Sequence, residues 1–157
     1  MKIKVFTLCL VCDENKILLG MKKRGLGEGK WNGFGGKLME GESIDGAAVR
    51  ELKEEVGIRA KSLEKRAVLH FFREGKNERV EAHVFCVLDY EGKIVETEEM
   101  RPRWFGVDEI PFEEMWPDDE LWIPWFLKGK KFRARFWFDR AEKKLLKHEM
   151  RESDGKW

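Results

Sequence analysis

Three shortages in this sequence each argue against a class of protein. Cysteine is scarce: three residues, an odd number among 157, argue against a secreted disulfide scaffold and for a reducing, cytoplasmic setting. Net charge is nearly absent, because 31 Lys and Arg oppose 30 Asp and Glu and leave +1. A general nucleic-acid binder carries a basic excess that neutralises phosphates, so nucleic acid is not expected as a required partner. Long apolar runs are missing as well. The longest, Val5 to Val11, is broken by Thr7 and falls far short of the ~18 residues a membrane helix needs, so no membrane association is expected. No signal-peptide pattern precedes it. Without repeats, low-complexity tracts or linkers, the length suits one core, and a single domain over residues 1–157 is expected.

What is present alternates between strand and helix patterns. Ile3 to Cys12 is dense in Val, Leu, Phe and Thr without helical spacing, and reads as a strand buried on both faces. Asp13-Glu-Asn15 turns the chain, and Lys16 to Met21 completes a hairpin. Seven glycines then fall between Gly25 and Gly41, a density no ordinary helix or strand accommodates, so backbone here approaches a ligand or takes positive φ. From Glu42 to Val56 apolar residues recur at spacings of three and four (Ile44, Ala47, Ala48, Leu52, Val56), and Gly57 follows: a helix with its C-terminal glycine. Ser62 to Phe72, Arg79 to Leu88 and Pro102 to Phe105 read as strands. Trp116-Pro-Asp-Asp119 opens an aromatic-rich helix to about Leu127, and Lys131 to Phe138 alternates again. Ala141 to Glu152 has a helix-favouring composition.

The chemistry concentrates around the first helix. Glu51, Glu54 and Glu55 stand at i, i+3 and i+4, so three carboxylates leave one side of it and repel one another by a few tenths of a kcal/mol per pair. A solvated face paired with Arg50 and Lys53 would account for them individually. Hard divalent cations, Mg²⁺ or Mn²⁺, are the alternative, because they take carboxylate, carbonyl and water oxygens and bridge to phosphates. Gly36, without a Cβ, is placed to offer its carbonyl to the same ion.

From Gly36 to Ile58 nine positions over 23 residues follow G-x5-E-x7-R-E-U-x-E-E-x-G-U, U being apolar: Gly36, Glu42, Arg50, Glu51, Leu52, Glu54, Glu55, Gly57 and Ile58. This segment resembles the Nudix box, and nine agreements leave little room for coincidence. The resemblance implies an α/β fold, a Nudix α/β/α sandwich with a central mixed sheet and the catalytic loop and helix on one side. It implies Mg²⁺-dependent hydrolysis of a nucleoside diphosphate linked to another group. Glu51, Glu54 and Glu55 would be metal ligands with Gly36, one of them also taking a proton; Arg50 and Glu42 would orient them, and Glu99 falls where relatives supply a further carboxylate. Which Glu is the general base stays open.

Further segments, among them Gly20 to Gly25, Trp31 to Lys37, Glu99 to Pro102 and Trp116 to Asp119, are similar to the family's MutT-type, pool-sanitising members over roughly residues 3 to 152. By that resemblance the substrate is an oxidised purine nucleoside triphosphate, such as 8-oxo-dGTP or 2-oxo-dATP, split to the monophosphate and pyrophosphate by a monomer. Asn32, Asp118 and Asp119 would read the purine edge and Trp116 stack on it, with Thr7, Lys22, Phe71 and Trp122 as further pocket residues and Lys22 the phosphate contact. Two adjacent carboxyls in a dry pocket hold different protonation states, so one donates while the other accepts. Helix N-capping after Pro117 is an alternative use for either Asp. Leu26 and Val80 replace the relatives' Phe and Met, which bears on base preference. The resemblance also leaves room for a hydrolase of another nucleotide (N6-methyl-dATP, an undamaged nucleotide or capped RNA) and for a non-catalytic nucleotide or RNA sensor.

Other signals are set aside. Cys9-Leu-Val-Cys12 would face opposite sides of a strand and, like Cys86, reads as core. His70, His83 and His148 lack metal-ligand spacing. The basic and aromatic residues interleaved from Lys128 to Phe138 resemble some single-strand binders, but Phe132, Ala134, Phe136 and Phe138 also fit one core face of a strand.

Overall fold

The computed structural model describes residues 1–157. Eight strands form one mixed sheet: β1 (Lys2–Asp13), β2 (Lys16–Lys22), β3 (Trp31–Asn32), β4 (Arg59–Arg73), β5 (Glu78–Glu91), β6 (Met100–Gly106), β7 (Phe132–Phe138) and β8 (Leu145–Glu152). Their order is β3-β2-β1-β5-β4-β7-β8, with β6 also paired to β2. The β1–β5 and β4–β7 pairs are parallel, whereas β1–β2, β4–β5 and β7–β8 are antiparallel. Helix α1 (Ile44–Val56) covers one face and α2 (Asp119–Leu127) the other, so the sheet is the middle layer of an α/β/α sandwich.

Strand alternation sorts the core. On β1, Leu10 joins Trp122, Ile123 and Phe126 of α2, while Cys9 and Val11 join Ala48, Leu52 and Val56 of α1. Burial on both faces therefore holds for Cys9 to Val11, whereas Ile3, near the start of the strand, is 48% exposed. Cys9 and Cys12 face opposite sides as expected, and Cys12 is only half-buried. On β7, Phe132, Ala134, Phe136 and Phe138 are all buried in the α2-side core.

α1 starts one residue after Ser43, whose hydroxyl accepts from the Gly46 N–H at 3.0 Å, and ends at Gly57 in the left-handed region with φ 80°. Glu42 therefore precedes the helix rather than opening it. α2 carries Pro124 inside it, a residue that cannot donate to the preceding turn. The largest departure from the composition lies at the C-terminus, where Leu145 to Glu152 forms β8 along the edge of β7. Asp139 sets up that hairpin: its Oδ1 accepts from the N–H groups of Lys143 (2.7 Å) and Lys144 (3.1 Å). Pairing with β7 overrides helix propensity here.

The glycine-rich segment acts as backbone scaffolding. Residues 34–37 run along β1 where β2 does not reach: Thr7 N–H donates to Gly36 O (2.9 Å), Cys9 N–H to Phe34 O (2.6 Å) and Leu38 N–H to Val5 O (2.9 Å). A Cβ on Gly35 would sit 1.7 Å from the Thr7 carbonyl oxygen, and one on Gly36 would sit 2.5 Å from the Glu51 carboxylate. Only glycine lets this backbone pass between β1 and α1, and that passage brings the box helix against the sheet.

Candidate active site

Arg50 organises the carboxylates of α1. Its Nε and Nη2 grip both oxygens of Glu42 (2.6 and 3.0 Å), and its Nη1 reaches Glu51 (2.8 Å) and Glu54 (3.3 Å). The same Nη2 donates to Lys37 O at 3.3 Å, tying the fork to the glycine segment. Because Glu42 lies outside the helix, its carboxylate is free to take this bidentate grip while accepting from Met39 N–H, and both bonds hold it below the usual carboxylate range.

Glu55 sits differently. It is 4% exposed, Gly35 N–H donates to its Oε1 at 2.6 Å, and Lys22 Nζ lies 3.7 Å from its Oε2. Burial pushes its carboxyl up to about 7, aided by the charges of Glu51 and Glu99 and opposed by Gly35 N–H and Lys22. Across from it, Lys22 also reaches Glu99 (3.3 Å), and Arg24 grips Glu99 from Nε (2.9 Å) and Nη2 (2.6 Å), which keeps that carboxyl low. Thr97 anchors this loop to α1, its hydroxyl donating to the Glu55 carbonyl at 2.8 Å.

The donor set suits a hard divalent cation, since Gly36 leaves no Cβ between its backbone and Glu51, and Glu55 is an acid that burial and two neighbouring carboxylates disfavour in its charged form. The Gly36 carbonyl accepts from Thr7 N–H and keeps a second lone pair. The carboxylates do not converge on one point as they stand: Arg50 draws Glu51 and Glu54 one way, while Gly35 and Lys22 hold Glu55.

One thermodynamic consequence can be measured directly. A carboxyl raised from about 4.3 to about 7 on folding makes the folded state bind the extra proton in that interval, so stability falls as pH rises through it. Asp118, pushed up to about 6 by burial, acts in the same sense. Glu55 and Asp118 are expected to take thermal stability from the metal-free protein between about pH 5 and about pH 7, Glu55 alone on the order of 3 kcal/mol, against the opposite pull of His70 and His83, which burial holds below the ordinary imidazole range. A divalent cation is expected to raise Tm more above that window than below it. Thermal unfolding across pH, with and without the cation, checks both statements; a metal-free Tm that climbs through the window contradicts them.

Beside the carboxylates opens a cleft of about 660 Å³, a size ordinary for a nucleotide-scale ligand. Thr7, Lys22, Asn32, Phe71, Trp116, Asp118, Asp119 and Trp122 all line it, together with Gly36, Glu55 and Glu99. Glu42, Arg50, Glu51 and Glu54 stand outside the lining, and Glu51 meets it at Gly36. At the closed end Asp118 and Asp119, each 3% exposed, accept from the one Trp122 indole N–H at 2.9 and 3.1 Å. Asp119 also accepts from Trp116 N–H at 3.2 Å, and no cation pairs with either. Burial raises both, and the charge of Asp118 raises Asp119 further, which favours one proton shared by the pair. Asp118 occupies the N-cap position of α2 without making a side-chain capping bond; its carboxyl turns to Trp122 instead.

Two further details mark this cleft as built for a ligand. The Thr7 hydroxyl is buried there without any hydrogen-bond partner. Asn32 Oδ1 accepts from Gly33 N–H at 2.8 Å, which directs its amide N–H groups elsewhere. At the rim, Leu26 is 74% exposed and Val80 half-buried. Sequence reading missed Arg24, Thr97 and the Gly35 N–H, and also Lys30, whose ammonium lies 5.3 Å from the Trp116 ring centre. Arg24 and Glu99 are 75 residues apart, and no local pattern links them.

Comparison with known proteins gives the same picture. The chain is 46% identical over 149 residues to an oxidized purine nucleoside triphosphate hydrolase of zebrafish, Danio rerio, covering 95% of each chain. It is 45% identical over 152 residues to the protein of that name from mouse, Mus musculus, covering 97% of each. Among solved structures, a MutT protein from Bacillus halodurans superposes with a TM-score of 0.83 at 28% identity, covering 94% of this chain and 97% of that one. The model of the NUDIX domain matches residues 2–126, which contain the box, the glycine segment, both Asp residues of the cleft and most of the sheet: this chain belongs to the Nudix family.

Proposed function

We propose that this protein hydrolyses oxidised purine nucleoside triphosphates, 8-oxo-dGTP and 2-oxo-dATP among them, to the monophosphate and pyrophosphate. The observation that carries the reading is the pair of buried carboxyls, Asp118 and Asp119, closed on one indole N–H without a cation, in the same cleft that Glu55 lines. A carboxyl pair with one proton offers a donor and an acceptor side by side and exchanges them by moving that proton, which suits purine edges altered by an added oxygen. Two full-length relatives named for this activity support the same assignment.

Asn32, Asp118 and Asp119 read the base edge, Trp116 and Phe71 pack on the ring, and Thr7 and Trp122 complete the pocket. Lys22, between Glu55 and Glu99, meets the phosphates. Glu51, Glu54, Glu55, the Gly36 carbonyl and Glu99 would hold Mg²⁺ or Mn²⁺, which would supply polarisation of phosphate oxygens and a lowered pKa for the attacking water. Arg50 and Glu42 fix the orientation of the carboxylates, one of which takes the proton that water loses as the bond between the α and β phosphoryl groups breaks. A free nucleotide requires no nucleic acid and no second subunit, and we place the activity in the cytoplasm, carried by a monomer. No helix is long and apolar enough to cross a membrane.

Steady-state hydrolysis of 8-oxo-dGTP, 2-oxo-dATP, N6-methyl-dATP, dGTP and dATP, with and without Mg²⁺, tests the proposal. Metal-dependent release of monophosphate and pyrophosphate is expected, with kcat/KM highest for the oxidised purines. Equal turnover of dGTP and dATP would leave the metal chemistry and remove the sanitising role, while turnover of none would refute both.

A further inference from the structure

α1 packs over β1, β6 and the first half of β4, and leaves the same face of β7, β8 and the last part of β4, around His70, without a helix. That bare face carries a second cavity of about 300 Å³, which shares no lining residue with the cleft. The side chains on this face are His70 of β4, Arg133 and Arg135 of β7, and Glu149 and Arg151 of β8, while Ala134 and Met150 of the lining turn theirs to the α2-side core. Strand register places Arg133 directly opposite Arg151, and Arg135 beside His70. Like charges directly opposite destabilise a strand pair, and this pair lies at the sheet edge with no carboxylate within ion-pair distance of either member. The one carboxylate of the cavity, Glu149, lies 3.9 Å from Arg135 and is shared with Lys147 at 3.5 Å. Three guanidinium groups therefore face a single divided counter-charge.

The floor of the cavity is also electropositive. His70 is held below its ordinary range by burial first, then by the charges of Arg79, Arg133 and Arg135, with Glu81 opposing. Its Nδ1 is buried and makes no hydrogen bond. Guanidinium forks match the oxygens of a phosphoryl group, and such a group would remove the cross-strand repulsion. The neighbouring aromatics are already in use: Trp137 stacks on Phe72 at 5.2 Å beneath Lys147, and Trp157 lies against Lys65 and Arg133. No free ring remains as a platform for successive bases, so a small anion fits this face better than a nucleic-acid strand.

We propose that this cavity is a second, non-catalytic site that binds a phosphate-bearing small anion, gripped between Arg133 and Arg151 with Arg135 at its wall. The test is titration of the full chain, in a chelator that keeps divalent cations from the cleft, with inorganic phosphate and separately with AMP, followed by backbone amide shifts. Saturable shifts at residues 70, 133–135 and 149–151 are expected, with Kd near or below about 1 mM. R133Q and R151Q should each weaken binding about tenfold or more without lowering Tm or turnover, since each relieves the repulsion and touches nothing in the cleft. Arg151 is exposed, so its variant folds and reports whatever becomes of the other. Equal affinity for the two ligands would assign the phosphoryl group alone as the recognised element, and tighter AMP binding at the same residues would assign a nucleotide. Absent shifts, unchanged affinity in both variants, or shifts seen only with single-stranded oligonucleotides and growing with their length, would overturn the proposal.

Discussion

Glu55→Gln is expected to lower kcat about 10³-fold, the range seen when a positioned acid or base is removed, while base binding measured by substrate-analogue affinity stays close to the parent value. The substitution is chosen because it isolates charge from packing. Glu55 is buried, and its Oε1 already accepts a hydrogen bond from Gly35 N–H, which an amide oxygen accepts equally well. The glycine segment therefore keeps its place along β1, and the cleft keeps its shape. What disappears is a carboxylate that a cation can hold or that can take a proton. Because burial makes the charged form costly, the parent residue is a poor choice for mere structural support, and its replacement should raise the stability of the metal-free protein above about pH 7. Loss of turnover together with a higher metal-free Tm would be the signature of a residue kept for chemistry. Turnover near the parent rate would remove Glu55 from the metal site and leave Lys22 with nothing to organise there.

The box was the most legible part of the chain because its information is local. Three Glu at i, i+3 and i+4 define a helix face without any tertiary knowledge, and Gly57 ends that helix as its sequence suggests, whereas the cap at Ser43 starts it two residues later than the apolar spacing implied. Glycine density announced a backbone constraint, but not its form. That Gly35 must pass 1.7 Å, at its absent Cβ, from the Thr7 carbonyl follows only from the sheet order, which leaves a gap beside β1 for residues 34–37 to fill. β8 was illegible for the same reason. Its composition favours a helix, and only the edge of β7 and the turn built on Asp139 make it a strand. Charge pairing across long separations was hidden too: Lys22 at the end of β2, Arg24 just after it and Glu99 just before β6 converge although no periodicity connects them.

The Asp pair shows where spacing and environment part. Adjacent carboxyls after a proline read equally as helix caps, and burial alone separates the readings, since Asp118 makes no capping bond and both groups close on Trp122. Asp119→Asn is accordingly expected to change the ratio of kcat/KM for 8-oxo-dGTP over 2-oxo-dATP by roughly 10- to 100-fold, the worth of one to three kcal/mol for a buried polar group left wrongly paired. An amide cannot exchange donor and acceptor by moving a proton, so the pocket becomes fixed in one pattern and disfavours the base that needs the other. The same change removes the acid that the charge of Asp118 now raises, while burial continues to raise Asp118 itself. Mg²⁺ dependence should not move, because Asp119 hydrogen-bonds Trp116 and Trp122 beside Asp118 and meets none of the box carboxylates. Paired kinetics on the two substrates across a Mg²⁺ series separate these effects. A preserved ratio would show that the shared proton has no part in reading the base, and edge recognition would then fall to Asn32, whose amide oxygen is already held by Gly33 N–H.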